Sequence, residues 1–96
     1  MQFDFTVENK ILTPNDSEYA VIADNSDYSV HFSFDEEWTG KTKTVRFING
    51  KNYVDVILPK SNTAVIPLEV MSPPSISIGV YAGHLCTSSV AVIKCR

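Results

Sequence analysis

The chain is poor in the residues that carry chemistry. Its 96 residues include two histidines, two cysteines and one tryptophan. A nucleophilic site needs a nucleophile, a base and an orienting group within hydrogen-bond reach. The only bases of the usual kind are His31 and His84. His31 stands between Ser29 and Ser33 on the polar side of an alternating run, so it reads as a solvent-facing sheet histidine. No nucleophile elbow, phosphate loop or dinucleotide fingerprint occurs. His84 and Cys86 lie close together, but Cys-x-x-Cys spacing is missing and His31 would have to be the fourth zinc ligand. The acidic stretches Asp24 to Asp27 and Asp35-Glu36-Glu37 lack the D-x-[DN]-x-[DN]-G order of a calcium loop. The expectation is a non-enzymatic chain without catalytic residues, metal ligands or cofactor.

Other absences narrow the class. No apolar run approaches the ~20 residues of a membrane helix. The start, Met1-Gln2-Phe3-Asp4-Phe5, has neither the basic nor the apolar region of a secretory signal, so synthesis in the cytoplasm is expected. Cys86 and Cys95 are too few for a disulfide scaffold; two separate thiols are expected, with a cross-strand bridge as the alternative. Lysines and arginines form no cluster and do not alternate with aromatics, which argues against nucleic acid.

What is present is β-forming. Hydrophobic residues make up 44% and charged residues 20%, enough for one packed domain over residues 1–96. Phe3, Phe5 and Val7 alternate with Gln2, Asp4, Thr6 and Glu8. Tyr28, Val30, Phe32 and Phe34 alternate with Ser29, His31, Ser33 and Asp35. Ile76, Ile78 and Val80 alternate with Ser75, Ser77, Gly79 and Tyr81. Period two of this kind marks half-buried strands. Shorter strands are expected at 11–12, 18–23 and 63–66, and a last one over 87–94. Thr13 to Ser17 and Asp24 to Asp27 read as loops.

Asn49-Gly50 between residues 43–48 and 51–58 is a hairpin signal. A turn at those two residues sets Phe47 opposite Asn52 and Val45 opposite Val54. Val45, Phe47, Val54 and Val56 then share the core face, and Arg46 can lie over Tyr53 on the other. Asp35 to Gly40 reads as a connection or a single helical turn, and Pro67 to Met71 as at most a helical turn with proline at its first position. About eight short strands at regular turn spacing predict an all-β, antiparallel β-sandwich.

Charge is split along the chain. Residues 1–37 hold nine acids and one base, a balance of −8, and residues 38–96 hold seven bases and two acids, a balance of +5. Either the two segments interleave in the fold, or the surface is bipolar and favours association with copies or neighbours. Trp38, after three acids, reads either as a residue folded back to cap the core or as an exposed anchor. With Asp35, Glu36, Glu37, Arg46 and Tyr53 it makes the set of candidate interface residues.

One ordered set of motifs goes further. Phe32-Ser33-Phe34-Asp35-Glu36-Glu37-Trp38 has the form F-x-F-x-x-x-W, and Lys43 to Phe47 has the form K-x-x-x-F. Pro67-Leu68-Glu69-Val70-Met71 makes a P-x-E-V-(L/M) corner, and Val80-Tyr81-Ala82-Gly83 a V-Y-(G/A)-G strand. In this order they resemble a small β domain of tail- and baseplate-associated proteins of phages and prophages of Gram-positive bacteria. The resemblance covers residues 28–83, and the flanks loosely. It implies a structural or docking module of a phage virion, meeting other virion proteins or copies of itself, with Phe32, Phe34, Phe47, Pro67 and Tyr81 as fold determinants. It implies no catalytic residues. Two other functions are compatible with the composition. A small acidic inhibitor would bind a host defence protein through the −8 segment. A carbohydrate-binding module would need an exposed row such as Trp38, Tyr53 and Tyr81.

Overall fold

Alternation becomes pleat in the computed structural model, which describes residues 2–15, 19–21 and 28–95. Strand β1 (Gln2–Glu8) buries Phe3, Phe5 and Val7 and turns the intervening side chains outward. Asn9 and Lys10 follow, both at positive φ (52° and 66°). Two successive left-handed residues match the twist of a tight hairpin, and the chain returns as β2 (Ile11–Pro14). Thr13 and Pro14, expected in a loop, belong to this strand. Proline is tolerated there because β2 lies at a sheet edge, where a missing N–H leaves no ladder bond unmade. The strand expected over 18–23 is described only as β3 (Ala20–Val21). Its flanks, and the turn expected at 24–27, lie outside the described residues.

β4 (Ser29–Phe34) buries Val30 and Phe32 and leads into a 3₁₀ turn, η1 (Glu36–Trp38). β5 (Thr44–Asn49) and β6 (Asn52–Ile57) form the hairpin, followed by β7 (Thr63–Val65) and a second 3₁₀ turn, η2 (Leu68–Val70), entered through Pro67. β8 (Ser75–Ala82), β9 (Leu85–Cys86) and β10 (Ala91–Cys95) complete the chain. The smaller sheet has the order β2-β1-β4-β7. The larger has the order β3-β10-β8-β5-β6, with β9 beside β8. Packed face to face, they make an all-β sandwich.

The sheets are mixed rather than purely antiparallel. β1 runs parallel to β4, and β3 parallel to β10. Parallel neighbours need a long crossover. Here the chain leaves β1, makes β2, crosses to add β3 to the larger sheet and returns in β1's own direction as β4.

Two further expectations change. The hairpin turns at Gly50-Lys51, because Asn49 pairs with Asn52 inside the ladder. Gly50 alone of the two has positive φ (61°), as a type II′ turn requires. Asn49 is held in the strand by its side-chain amide, which donates to the carbonyls of Val70 (2.7 Å) and Ser72 (2.8 Å). Phe47 therefore faces Val54, and Val45 faces Val56. A two-residue shift keeps every side chain on its expected face, which a one-residue shift would not. The strand expected over 87–94 is broken. Thr87 still bonds to Val80, after which Ser88 N–H donates to the Lys10 carbonyl (2.7 Å) and the Ser89 hydroxyl accepts from Leu12 N–H (3.2 Å). These bonds tie the larger sheet to β2, and the ladder resumes at Ala91.

Trp38, Phe5, Phe32, Phe47, Ile76, Ile78 and Ile93 are fully buried between the sheets. An aromatic row runs along the smaller sheet's inner side, from Phe5 to Phe32 (5.6 Å), Phe34 (5.9 Å) and Trp38 (5.2 Å). Contacts at these centroid separations add about 0.5–1.5 kcal/mol each to simple burial.

Candidate functional site

Among the described residues, the outward positions of the larger sheet hold the most organised group of surface side chains. Register places Arg46 between Asp55 on β6 and Gly79 on β8, with Tyr53 and Tyr81 on neighbouring rungs. Gly79 sets no side chain beside the arginine. The guanidinium donates from Nε to Asp55 Oδ1 (2.8 Å) and from Nη2 to Oδ2 (2.9 Å). Its carbon lies 4.3 Å from the centroid of the Tyr53 ring and 5.5 Å from that of Tyr81. The Tyr81 hydroxyl donates to Asp55 Oδ2 (3.0 Å). Four side chains from three strands thus fix one another.

The electrostatics follow from these contacts. The hydrogen bonds from Arg46 hold the Asp55 carboxyl below its ordinary value of 3.8, the Tyr81 bond lowers it further, and partial desolvation opposes both. The bond to Asp55 likewise raises the guanidinium above its usual range. The pair stays ionised and mutually neutral, with no poised base or nucleophile. Apolar surface rims it: Ile57 is 68% exposed, Tyr53 58% and Val92 50%. Val90 lies over the outward side of Gly79. A paired arginine between tyrosines, bordered by exposed aliphatic groups, has the composition of a protein-contact hot spot.

The expected interface residues fall in two places. Arg46 and Tyr53 belong to this cluster, and Arg46 does lie over Tyr53. Asp35, Glu36, Glu37 and Trp38 lie on and beside η1 at the end of β4. Trp38 is 0% exposed, so it offers no surface to a partner or a sugar. A small core takes the lone indole, which packs on Phe34. Its Nε1, like Asp35 Oδ1, is buried without a hydrogen-bond partner among the described residues. The second Asp35 oxygen accepts from Asn9 N–H (2.9 Å), and Glu37 pairs with Lys10 (3.0 Å). Glu36 is exposed. Four acids of the −8 segment, Asp16, Glu18, Asp24 and Asp27, lie outside the described residues.

Of the expected fold determinants, Phe32 and Phe47 are fully buried. Phe34 is half-buried, with the Lys43 ammonium 5.2 Å from its ring centroid. Pro67 is half-buried at the entrance to η2. Tyr81 belongs to the outer cluster rather than the core. Sequence reasoning missed Asp55, Ile57, Val90 and Val92. Asp55 and Ile57 were legible as outward positions of β6, but the offset register placed Asp55 away from Arg46.

Cys86 is exposed and Cys95 buried; both are free, and burial raises the Cys95 thiol. Among the described residues no three His, Cys, Asp or Glu gather in a metal-binding geometry. His31 Nδ1 lies 3.5 Å from Asp4 on the smaller sheet's outer face. No described helix is long and apolar enough to cross a membrane. No protein-family model, curated protein sequence or solved structure matches the chain.

Proposed function

We propose that the chain is a non-enzymatic docking module of a phage tail or baseplate, acting by protein–protein contact through the outer face of its larger sheet. The observation that carries the contact mechanism is the Arg46 cluster. Arginine and tyrosine dominate contact energetics because they combine large area with directed hydrogen bonds. Here their conformations are held before any partner arrives, so less side-chain entropy is lost on binding. The tail or baseplate setting rests on the ordered motifs from Phe32 to Gly83 and on their resemblance to that virion domain. Phe32, Trp38 and Phe47 of those motifs are core residues, so the motifs specify a scaffold and leave the outer face to define the partner.

The test is particle fractionation. A tagged chain expressed during phage production should co-purify with the tail or baseplate at a fixed ratio to the other tail proteins. Recovery only outside particles, bound to a host nuclease, would overturn the reading in favour of a defence inhibitor.

A further inference from the structure

The edges of the two sheets are unequally protected. β2 carries Pro14, and the segment carrying Ser88 and Ser89 bonds to it. β7 is three residues long and is soon followed by Pro67. β3 is two residues long in the described part. β6 differs from all three: it is six residues long, contains neither proline nor lysine, and among the described residues pairs only with β5. None of its residues is buried. η2 packs against β6 without bonding to its backbone. Natural edges are normally blunted by proline, lysine, a bulge or a covering segment.

The free backbone groups can be assigned. Leu58 N–H donates to the Lys43 carbonyl (2.8 Å), on the same register that pairs Val54 with Phe47 and Val56 with Val45. In an antiparallel ladder the two edges of a strand alternate along its residues. Residues 54, 56 and 58 therefore bond towards β5, and Tyr53, Asp55 and Ile57 present their N–H and C=O groups to the open edge.

We infer that β6 pairs antiparallel with β6 of a second copy of this chain, about a twofold axis at Val54. This inference deepens the docking reading and rests on it, since both require the chain to work by contact. Among twofold registers that use the free groups, pairing Asp55 with Asp55 sets like charges face to face. Centring the axis on Val54 instead pairs each Tyr53 with Asp55 of the other copy. It sets a phenol beside a carboxylate already neutralised by Arg46. The Tyr53 hydroxyl donates to no described residue in the single chain. On the inner side Val54 meets its own counterpart and closes the half-exposed end of the core. The two Arg46 clusters then lie on one continuous sheet, which doubles the docking face.

Sedimentation of the isolated chain, without tail proteins, tests this. The wild type should form a dimer and Val54→Lys a monomer with unchanged far-ultraviolet circular dichroism, because an inward lysine blocks edge pairing. In a Cys86→Ser background, Val54→Cys should give a disulfide dimer that reductant dissolves, since facing non-hydrogen-bonded residues lie about 4.5 Å apart between Cα atoms. Val56→Cys, opposite Asn52 in this register, should not cross-link. A wild type that stays monomeric at the highest concentration it tolerates overturns the inference, as does cross-linking through residue 56 and not 54. Dimerisation without tail incorporation would sink the docking reading alone. Tail incorporation by a monomer would sink this inference alone.

Discussion

The two outer faces of the sandwich are made by the same alternation and differ in what the alternation puts outside. The smaller sheet turns out Asp4, Thr6, Ser29, His31 and Ser33, all short or polar groups suited to water. Its exposed large residues, Ile11 and Val65, sit on its two edge strands. The larger sheet turns out Arg46, Tyr53, Ile57, Tyr81 and Val92 across its breadth. Inside, both sheets are equally apolar. The core therefore explains the inner halves of both and leaves the outer apolar surface of only one without a structural reason, and it is this surface that the docking proposal uses.

The largest effect should separate inside from outside on a single strand. Phe47 lies fully buried between outward Arg46 and Ile48. Phe47→Ala should lower stability by about 3–5 kcal/mol in denaturant titration, through lost burial and the cavity left behind. Ile57→Ser combined with Val92→Ser should change stability by no more than roughly 0.5 kcal/mol per site, yet reduce tail incorporation. His31→Ala on the other face should leave incorporation unchanged. Equal loss from both faces would break the comparison.

The smallest effect concerns acid. The folded Asp55 carboxyl titrates below its ordinary value of 3.8. Its contribution to stability is therefore present above that value and lost as pH falls through the lower folded value. Unfolding midpoints measured across that acid range should fall less steeply for Asp55→Asn than for the wild type. Identical acid limbs would mean that the Arg46 bonds add nothing to stability.

Period-two patterning made the faces legible because it asks only about neighbours two residues apart. It placed Phe3, Phe5, Phe32, Ile76 and Ile78 in the core before any partner strand was known, and the hairpin signal added Phe47. Pairing was less legible. The parallel match of β1 with β4 joins residues 27 positions apart, such as Phe5 and Phe32, and nothing local announces it. Asn49-Gly50 announced a turn, but carbonyls of Val70 and Ser72 held Asn49 in the ladder. That long-range bond moved the register and put Asp55 opposite Arg46. Thr87 to Val90 carried strand-forming residues, yet Ser88 and Ser89 bonded to the β2 hairpin instead. In each case a contact distant in sequence overrode a sound local preference.

The claim that the larger sheet's outer face docks the chain is tested most directly by quantifying Arg46→Ala in purified tail particles against a co-expressed, differently tagged wild type. Arg46→Ala should be depleted at least about tenfold, the scale of a hot-spot arginine. Arg46→Lys should remain depleted, because an ammonium cannot bond bidentately to Asp55. Incorporation of Arg46→Ala at the wild-type ratio, with the fold intact, would contradict the account.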